Sequence, residues 1–264
     1  MADATGPQGL SARLQDHLAE LGVRPGGVLM VHSSLSGTGL APTAVRDALL
    51  RAVGPDGTLV VPAFTPENSD TSREYHAFTE GMTEREKAEF RAAMLPFEKD
   101  ATPCPTMGAL AECVRTTPGA VRSAHPQTSF AGLGPRAAEL LADHDPHCHL
   151  GERSPMASLY AADAQILLLR VGFEVCTAFH LAEYRTVPTP STRTYRCVLE
   201  EKGNWVEYED LDLFDGDFGE IGARLPRELV GQREWVGKPV LLMDMRVAVD
   251  TAERLMSGYR IEMT

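Results

Sequence analysis

The chain has 264 residues and a mass of 28.7 kDa, with 43% hydrophobic and 23% charged residues, which suffices for a substantial core and excludes a disordered chain. A formal net charge of −12 without a clustered basic face argues against a nucleic-acid partner and suits a cationic small molecule. There is no apolar run of about 18 residues and no basic-then-apolar leader in "MADATGPQGLSARLQDHL", so neither a membrane span nor secretion is expected, and the protein is expected in the cytoplasm.

In chain order, Leu10, Leu14, Leu18 and Leu21 predict a helix over 8–22 that stops at Gly22. "GGVLMVHSS" reads as a buried strand ending in small polar residues, followed by the loop "LSGTGLAP" and a helix through "TAVRDALLRAVG". "GTLVVPAFT" is a second buried strand, and this alternation points to an α/β layered fold with a largely parallel sheet. Residues 66–105 break the rhythm with a polar stretch that holds one short amphipathic helix, "TEREKAEFRAAML", and such a long excursion is expected to be a lid or binding insertion. Helices are predicted in "TMGALAECVRTT" and "PRAAELLADH", separated by "VRSAHPQTSFAGLG" and followed by the loop "DPHCHLGERSP". "QILLLRV" is a third buried strand, leading into the helix of "CTAFHLAEYR". "TYRCVLE" and "NWVEYED" predict a hairpin turning at "KGN", and "PVLLMDMRVAVDTAERLMSGY" closes with an amphipathic helix.

Two segments lie where open α/β sheets bind ligands, beyond the carboxyl ends of strands. "VHSSLSGTG" ends the first strand in a turn whose amides and hydroxyls would suit a phosphate, or would simply cap the next helix. In "CTAFHLAEYR", His180 and Glu183 are three apart, so a helix starting near Thr177 puts them on one face. That is the geometry of a general base with an orienting carboxylate, and equally that of a solvated helical pair.

Two rival chemistries stand beside it. Cys176 precedes the same helix and could pair with His180 as a nucleophile, and His144, His147 and His149 crowd one loop that could hold a metal for a hydrolase, although their spacing matches no standard zinc pattern. The five cysteines are scattered and odd in number, which predicts reduced thiols. GxSxG, Walker and GxGxxG motifs are absent. Residues 200–220 hold nine acidic residues and one lysine, a density that serves solubility or steers a polycation toward a cleft.

Taken in order, "GVRPGGVLMVHSSLSGTG", "GPDGTLVVPAFT", "TMGALAECVRTTPGAVRSAHPQTSFAGLG", "GERSPMASLY", "ILLLRVGFEVCTAFHLAEYR" and "DFGEIGARL" resemble the aminoglycoside 3-N-acetyltransferase family, the acetyl-coenzyme A dependent antibiotic acetyltransferases distinct from the GNAT fold. The resemblance spans nearly the whole chain and implies a single domain, a three-layer α/β/α sandwich. It implies acetyl transfer to the 3-amine of an aminoglycoside, giving resistance, without a metal, in a monomer or homodimer. It assigns His180 as catalytic base, Glu183 as its acidic companion and Thr177 as the hydroxyl facing the oxyanion. His32, Ser33, Ser34 and Leu35 match the coenzyme-binding turn, and Thr106, Met107, Gly108, Arg122, Ser123 and Phe130 fall in segments lining the same channel. With a polycationic acceptor, the acidic stretch around Tyr208, Glu209, Asp210, Asp212, Asp215 and Asp217 becomes an expected wall of the acceptor site. A same-fold enzyme acetylating another amine-bearing metabolite remains the alternative reading, with a coenzyme-binding protein that lacks turnover beyond it.

Overall fold

The computed structural model describes residues 6–262; the first five residues of the N-terminal stretch discussed above lie outside it. The first layer begins with α1 (Pro7–Leu21), β1 (Val28–Ser33), α2 (Pro42–Val53) and β2 (Thr58–Pro62). The 66–105 excursion holds two helices, α3 (Arg73–Phe78) and α4 (Glu84–Ala93), the second opened by a reciprocal capping box between Thr83 and Glu86. There follow α5 (Ala109–Arg115), β3 (Val121–Arg122), β4 (Phe130–Leu133), α6 (Ala137–Leu140), α7 (Pro155–Ala161), β5 (Gln165–Leu169) and α8 (Ala178–Arg185). The hairpin β6 (Thr192–Val198) and β7 (Trp205–Leu211) precedes α9 (Phe218–Ala223), β8 (Gly231–Trp235), β9 (Lys238–Asp244) and α10 (Met245–Glu262).

Seven strands form one mixed sheet in the order β3-β4-β2-β1-β5-β9-β8. Its centre, β2-β1-β5, is parallel, and the flanking strands join antiparallel. The central strands are buried on both faces, which is why they read as continuous apolar runs. Successive residues feed opposite cores: Met30, Ile166 and Leu168 pack with α7, α8 and α10, whereas Leu29, Leu167 and Leu169 pack with α1, α2 and α5. The result is the α/β/α sandwich that the family resemblance implies, built on the α/β layering expected from the alternation of elements.

Several elements depart from the sequence reading. β9 opens the segment for which the sequence predicts only a closing helix, and α10 follows it directly at Met245 with no glycine or proline at the junction to mark the change. β8 escaped because its middle residues are exposed at the sheet edge, and β3 and β4 because they are only two and four residues long. α5 starts later than predicted, since Pro105–Met107 forms a 3₁₀ turn and Gly108 takes φ +87°. α7 begins at the last residue of the predicted loop and covers a stretch for which no element is predicted, capped by the Ser154 side chain with Pro155 in its first turn.

The excursion and the hairpin share a small core beside the sheet, where Tyr75, Met94 and Val198 are buried against Phe90 and Trp205. Asn68 Nδ2 and the Phe97 amide both donate to Val198 O, at 3.1 Å each, and Arg196 is ion-paired with Asp70. Both segments therefore form one wall beside the carboxyl ends of β1 and β2. No helix among the described residues is long and apolar enough to cross a membrane.

Candidate active site

A cleft of about 550 Å³ opens where β1 and β2 end, floored by Val31, His32, Ser33, Val61 and Pro62. α8 enters it at Thr177, the residue before its first turn, whose side chain makes no capping bond. His180 sits on that first turn, and its Nδ1 lies 2.9 Å from Glu183 Oε2. The imidazole keeps 14% of its side-chain surface exposed while Glu183 keeps none. Glu183 Oε1 accepts from the Phe214 amide at 2.9 Å and from Arg260 Nη1 at 2.7 Å. A carboxylate held in this way accepts from Nδ1–H, so the lone pair of the neutral ring stays on Nε2 at the cleft. Phe218 lies against the ring at a centroid distance of 4.7 Å and limits its swing.

Of the residues assigned to the coenzyme channel, His32, Ser33, Thr106 and Met107 line the cleft. Ser34 donates its amide to Leu169 O at 3.0 Å, Leu35 packs on the core, and Gly108 lies beside Ser33, where an added Cβ would stand 3.8 Å from Ser33 O, an ordinary contact. Arg122, Ser123 and Phe130 turn inward instead. The Arg122 guanidinium is spent on Ser129 Oγ and on the carbonyls of Ala63, Lys99 and Thr102, tying β3 to the excursion. Ser123 Oγ links the Phe130 amide to His144 Nδ1, and the Phe130 side chain is core.

The acidic stretch divides in an unexpected way. Only Asp215 lines the cleft, and it is paired with Arg73 Nη2 at 2.5 Å. Asp212 and Asp217 face a second cavity of about 530 Å³ behind Phe214, and Asp217 is bound to Arg260. Glu209 is a surface partner of Thr192 on the hairpin. Tyr208 and Asp210 are buried: Tyr208 donates to Gln127 Oε1, and Asp210 Oδ2 lies 2.7 Å from His149 Nδ1 and accepts from the Tyr184 hydroxyl at 2.5 Å. The residues the sequence did not point to are Arg73, Glu74, Glu174, Arg193 and Tyr195 on the cleft wall, and Arg260 behind the dyad. A length periodicity cannot find them, because they come from four separated segments.

Both rival chemistries lose their reagents here. Cys176 is wholly buried in the core, and burial pushes its thiol up to about 12, so it offers no thiolate to the cleft. In the histidine loop, His144 uses Nδ1 on Ser123 and Nε2 on His149 O, while His149 uses Nδ1 on Asp210 and Nε2 on Gln127. No group of three or more His, Cys, Asp or Glu able to hold a metal is found among the described residues.

Buried neutral imidazoles give a testable pH dependence. Burial lowers His32 and His144 from an ordinary 6.5 to about 4. Unfolding then takes up protons only below the unfolded value, so stability is flat above pH 6.5, falls as pH drops toward 4, and levels beneath it, by about 3 kcal/mol per histidine. Thermal melts from pH 7.5 to 4 should show this slope, and His144→Gln should flatten it; a melting temperature indifferent to pH across that window contradicts the burial argument.

The fold and the site together define a layered α/β enzyme with a carboxylate-oriented imidazole at the mouth of its parallel strands. The family model for aminoglycoside 3-N-acetyltransferase matches residues 30–257. An SPbeta prophage-derived aminoglycoside N(3')-acetyltransferase-like protein, YokD of Bacillus subtilis, is 33% identical over 91% of this chain and 90% of its own, and its crystal structure superposes with a TM-score of 0.86 over 96% and 94% of the two chains. Aminoglycoside N(3)-acetyltransferase III of Pseudomonas aeruginosa is 31% identical over 84% of this chain and 82% of its own. A structure of AAC-IIIb in a binary complex with CoASH matches at TM-score 0.78 and 26% identity, covering 96% of each chain. The chain belongs to the aminoglycoside 3-N-acetyltransferase family and is an acyltransferase.

Proposed function

We propose that this protein transfers an acetyl group from acetyl-coenzyme A to an amine, the 3-amine of an aminoglycoside in the leading reading, by direct attack within a ternary complex. The observation that carries the reading is the His180–Glu183 pair, which leaves one ring nitrogen uncommitted at the cleft. At neutral pH the acceptor amine is mostly an ammonium and cannot attack a carbonyl, so His180 takes its proton, directly or through water, as the new bond forms. Thr177, at the cleft with no capping bond, supplies a donor to the negative charge that develops on the carbonyl oxygen, an interaction whose loss commonly costs ~3 kcal/mol.

Acetyl-coenzyme A brings the activated acetyl thioester. The residues at the end of β1 suit such a ligand: His32 Nε2 is buried without a partner, and the Ser33 and Thr106 side chains line the same space. The orphaned nitrogen is a polar atom waiting for a ligand or an ordered water.

A second reading, acetylation of a less cationic amine in metabolism, draws on the cleft wall. Arg73 and Arg193 stand there beside Glu74, Glu174 and Asp215, a nearly balanced set rather than a polycation receptor. An acceptor screen separates the two: thiol release across aminoglycosides and simple amines, with product masses. The leading reading expects aminoglycosides to be preferred by kcat/KM, with an advantage that shrinks as salt rises. Preference for monoamines with no salt dependence supports the second reading and removes the first.

A further inference from the structure

The carboxylate that orients His180 is itself held from the opposite side of the molecule. Glu183 points its two oxygens in different directions, Oε2 to His180 Nδ1 at 2.9 Å and Oε1 to Arg260 Nη1 at 2.7 Å. Arg260 lies in the last turn of α10, the final helix. The same guanidinium binds Asp217 twice, Nε to Oδ2 at 2.8 Å and Nη2 to Oδ1 at 2.9 Å, and donates to Phe214 O at 2.8 Å. One arginine thus joins α8, α9 and α10 at the back of the catalytic pair.

We propose that Arg260 is a positioning residue of the transfer reaction, balancing the charge of Glu183 and keeping it turned toward His180 so that Nε2 remains the proton acceptor. The proposal rests on the reading of His180 as base. Its physical core is charge balance. Glu183 and Asp217 are two buried carboxylates sharing one guanidinium, and a buried carboxylate left without that counter-charge draws a proton onto the imidazole beside it. A ring protonated in this way carries a hydrogen on Nε2 as well as on Nδ1, where it blocks the reaction.

Other charged groups do not substitute. On the cleft side of His180 stand His32, Arg73, His149, Glu174, Arg193 and Asp215. Arg73 is engaged by Asp215 and Arg193 by Asp212, while burial keeps His32 and His149 below the usual imidazole range. On the α9 side Asp212 and Glu220 only add negative charge around the second cavity. Among the described residues, Arg260 is the one arginine or lysine bonded to Glu183.

The test is the pH–rate profile of Arg260→Gln, Arg260→Lys and Asp217→Asn, read by thiol release from acetyl-coenzyme A, alongside an NMR titration of the His180 ring in histidine-labelled protein. Removing the positive charge favours the protonated ring, so in Arg260→Gln the acid limb of kcat/KM should move up by roughly one pH unit, with a loss of about tenfold on that limb and KM for acetyl-coenzyme A unchanged. Arg260→Lys should hold the limb near wild type. Asp217→Asn removes one carboxylate that competes with Glu183 for the guanidinium charge and should move the limb the other way. A uniform loss at every pH in Arg260→Gln, with the limb in place, overturns the proposal and leaves Arg260 a structural clamp. If Arg260→Gln does not fold, an unmoved limb in Asp217→Asn overturns it instead. Should His180→Ala retain turnover, the base reading fails by itself; the ring titration still decides whether Arg260 governs the charge on His180, and an unmoved titration in Arg260→Gln sinks this proposal alone.

Discussion

His180→Ala is expected to lower kcat by roughly 10²- to 10⁴-fold while coenzyme binding survives. The size follows from the role proposed for the ring, removal of the proton of an amine that is otherwise protected as ammonium, for which the other imidazoles at the cleft are poorly placed. His32 is buried, with Nε2 enclosed, and His149 has both nitrogens committed to Asp210 and Gln127. Coenzyme binding should persist because His180 stands on α8, whereas the residues suited to the coenzyme lie at the end of β1 and in the 105–107 turn. Steady-state thiol release for kcat, and calorimetric titration with coenzyme A for binding, check the two halves separately. Loss of binding in parallel with loss of rate would mean that the histidine holds substrate rather than moving its proton.

Glu183→Gln is the second large effect, and it isolates charge from shape. The amide is nearly isosteric, but it can turn its NH₂ toward Nδ1, which leaves the ring hydrogen on Nε2 and removes the lone pair from the cleft. Such a tautomer error alone is worth on the order of 10⁴ in a hydrolase triad, so a fall of about 10²- to 10⁴-fold in kcat is expected here. The change also removes the Glu183 carboxylate from the Arg260 guanidinium, which keeps its bonds to Asp217. Breaking a buried pair from one side commonly costs about 3 kcal/mol or more, so the melting temperature should fall too. Rates measured well below that melting temperature separate the catalytic loss from the loss of folded protein; near-normal kcat in folded Glu183→Gln would show that the carboxylate is a packing element only.

The dyad was legible because local geometry suffices for it. His180 and Glu183 are three apart on a helix that follows a buried strand, and helical spacing alone brings their side chains together at 2.9 Å. Arg260 was not legible, since it meets Glu183 only through the packing of α10 against α8, 77 positions along the chain. The acidic segment shows the same limit in another form. Its composition pointed to a wall of the acceptor site, yet Leu213 and Asp215 face the cleft while Asp212, Phe214 and Asp217 face the cavity behind it. Charge density says nothing about which way each side chain turns. Arg122 likewise lay in a segment near the channel, and its guanidinium was claimed by backbone carbonyls that only the fold assembles. The three central strands could be read directly, being buried on both faces, whereas the edge strand β8 shows three exposed residues in a row and no pattern to read.

The central claim is direct transfer from acetyl-coenzyme A to an acceptor amine, with His180 moving the proton and no acetylated enzyme. It is tested most directly by mass spectrometry of both the intact protein and the small-molecule products, after incubation with acetyl-coenzyme A in the presence and absence of an aminoglycoside. The account predicts a singly acetylated aminoglycoside only when both substrates are present, an unmodified protein mass throughout, and no product from His180→Ala on the same timescale. A protein that gains an acetyl group from acetyl-coenzyme A alone and passes it to the acceptor, or a His180→Ala variant that makes product at the wild-type rate, would contradict it.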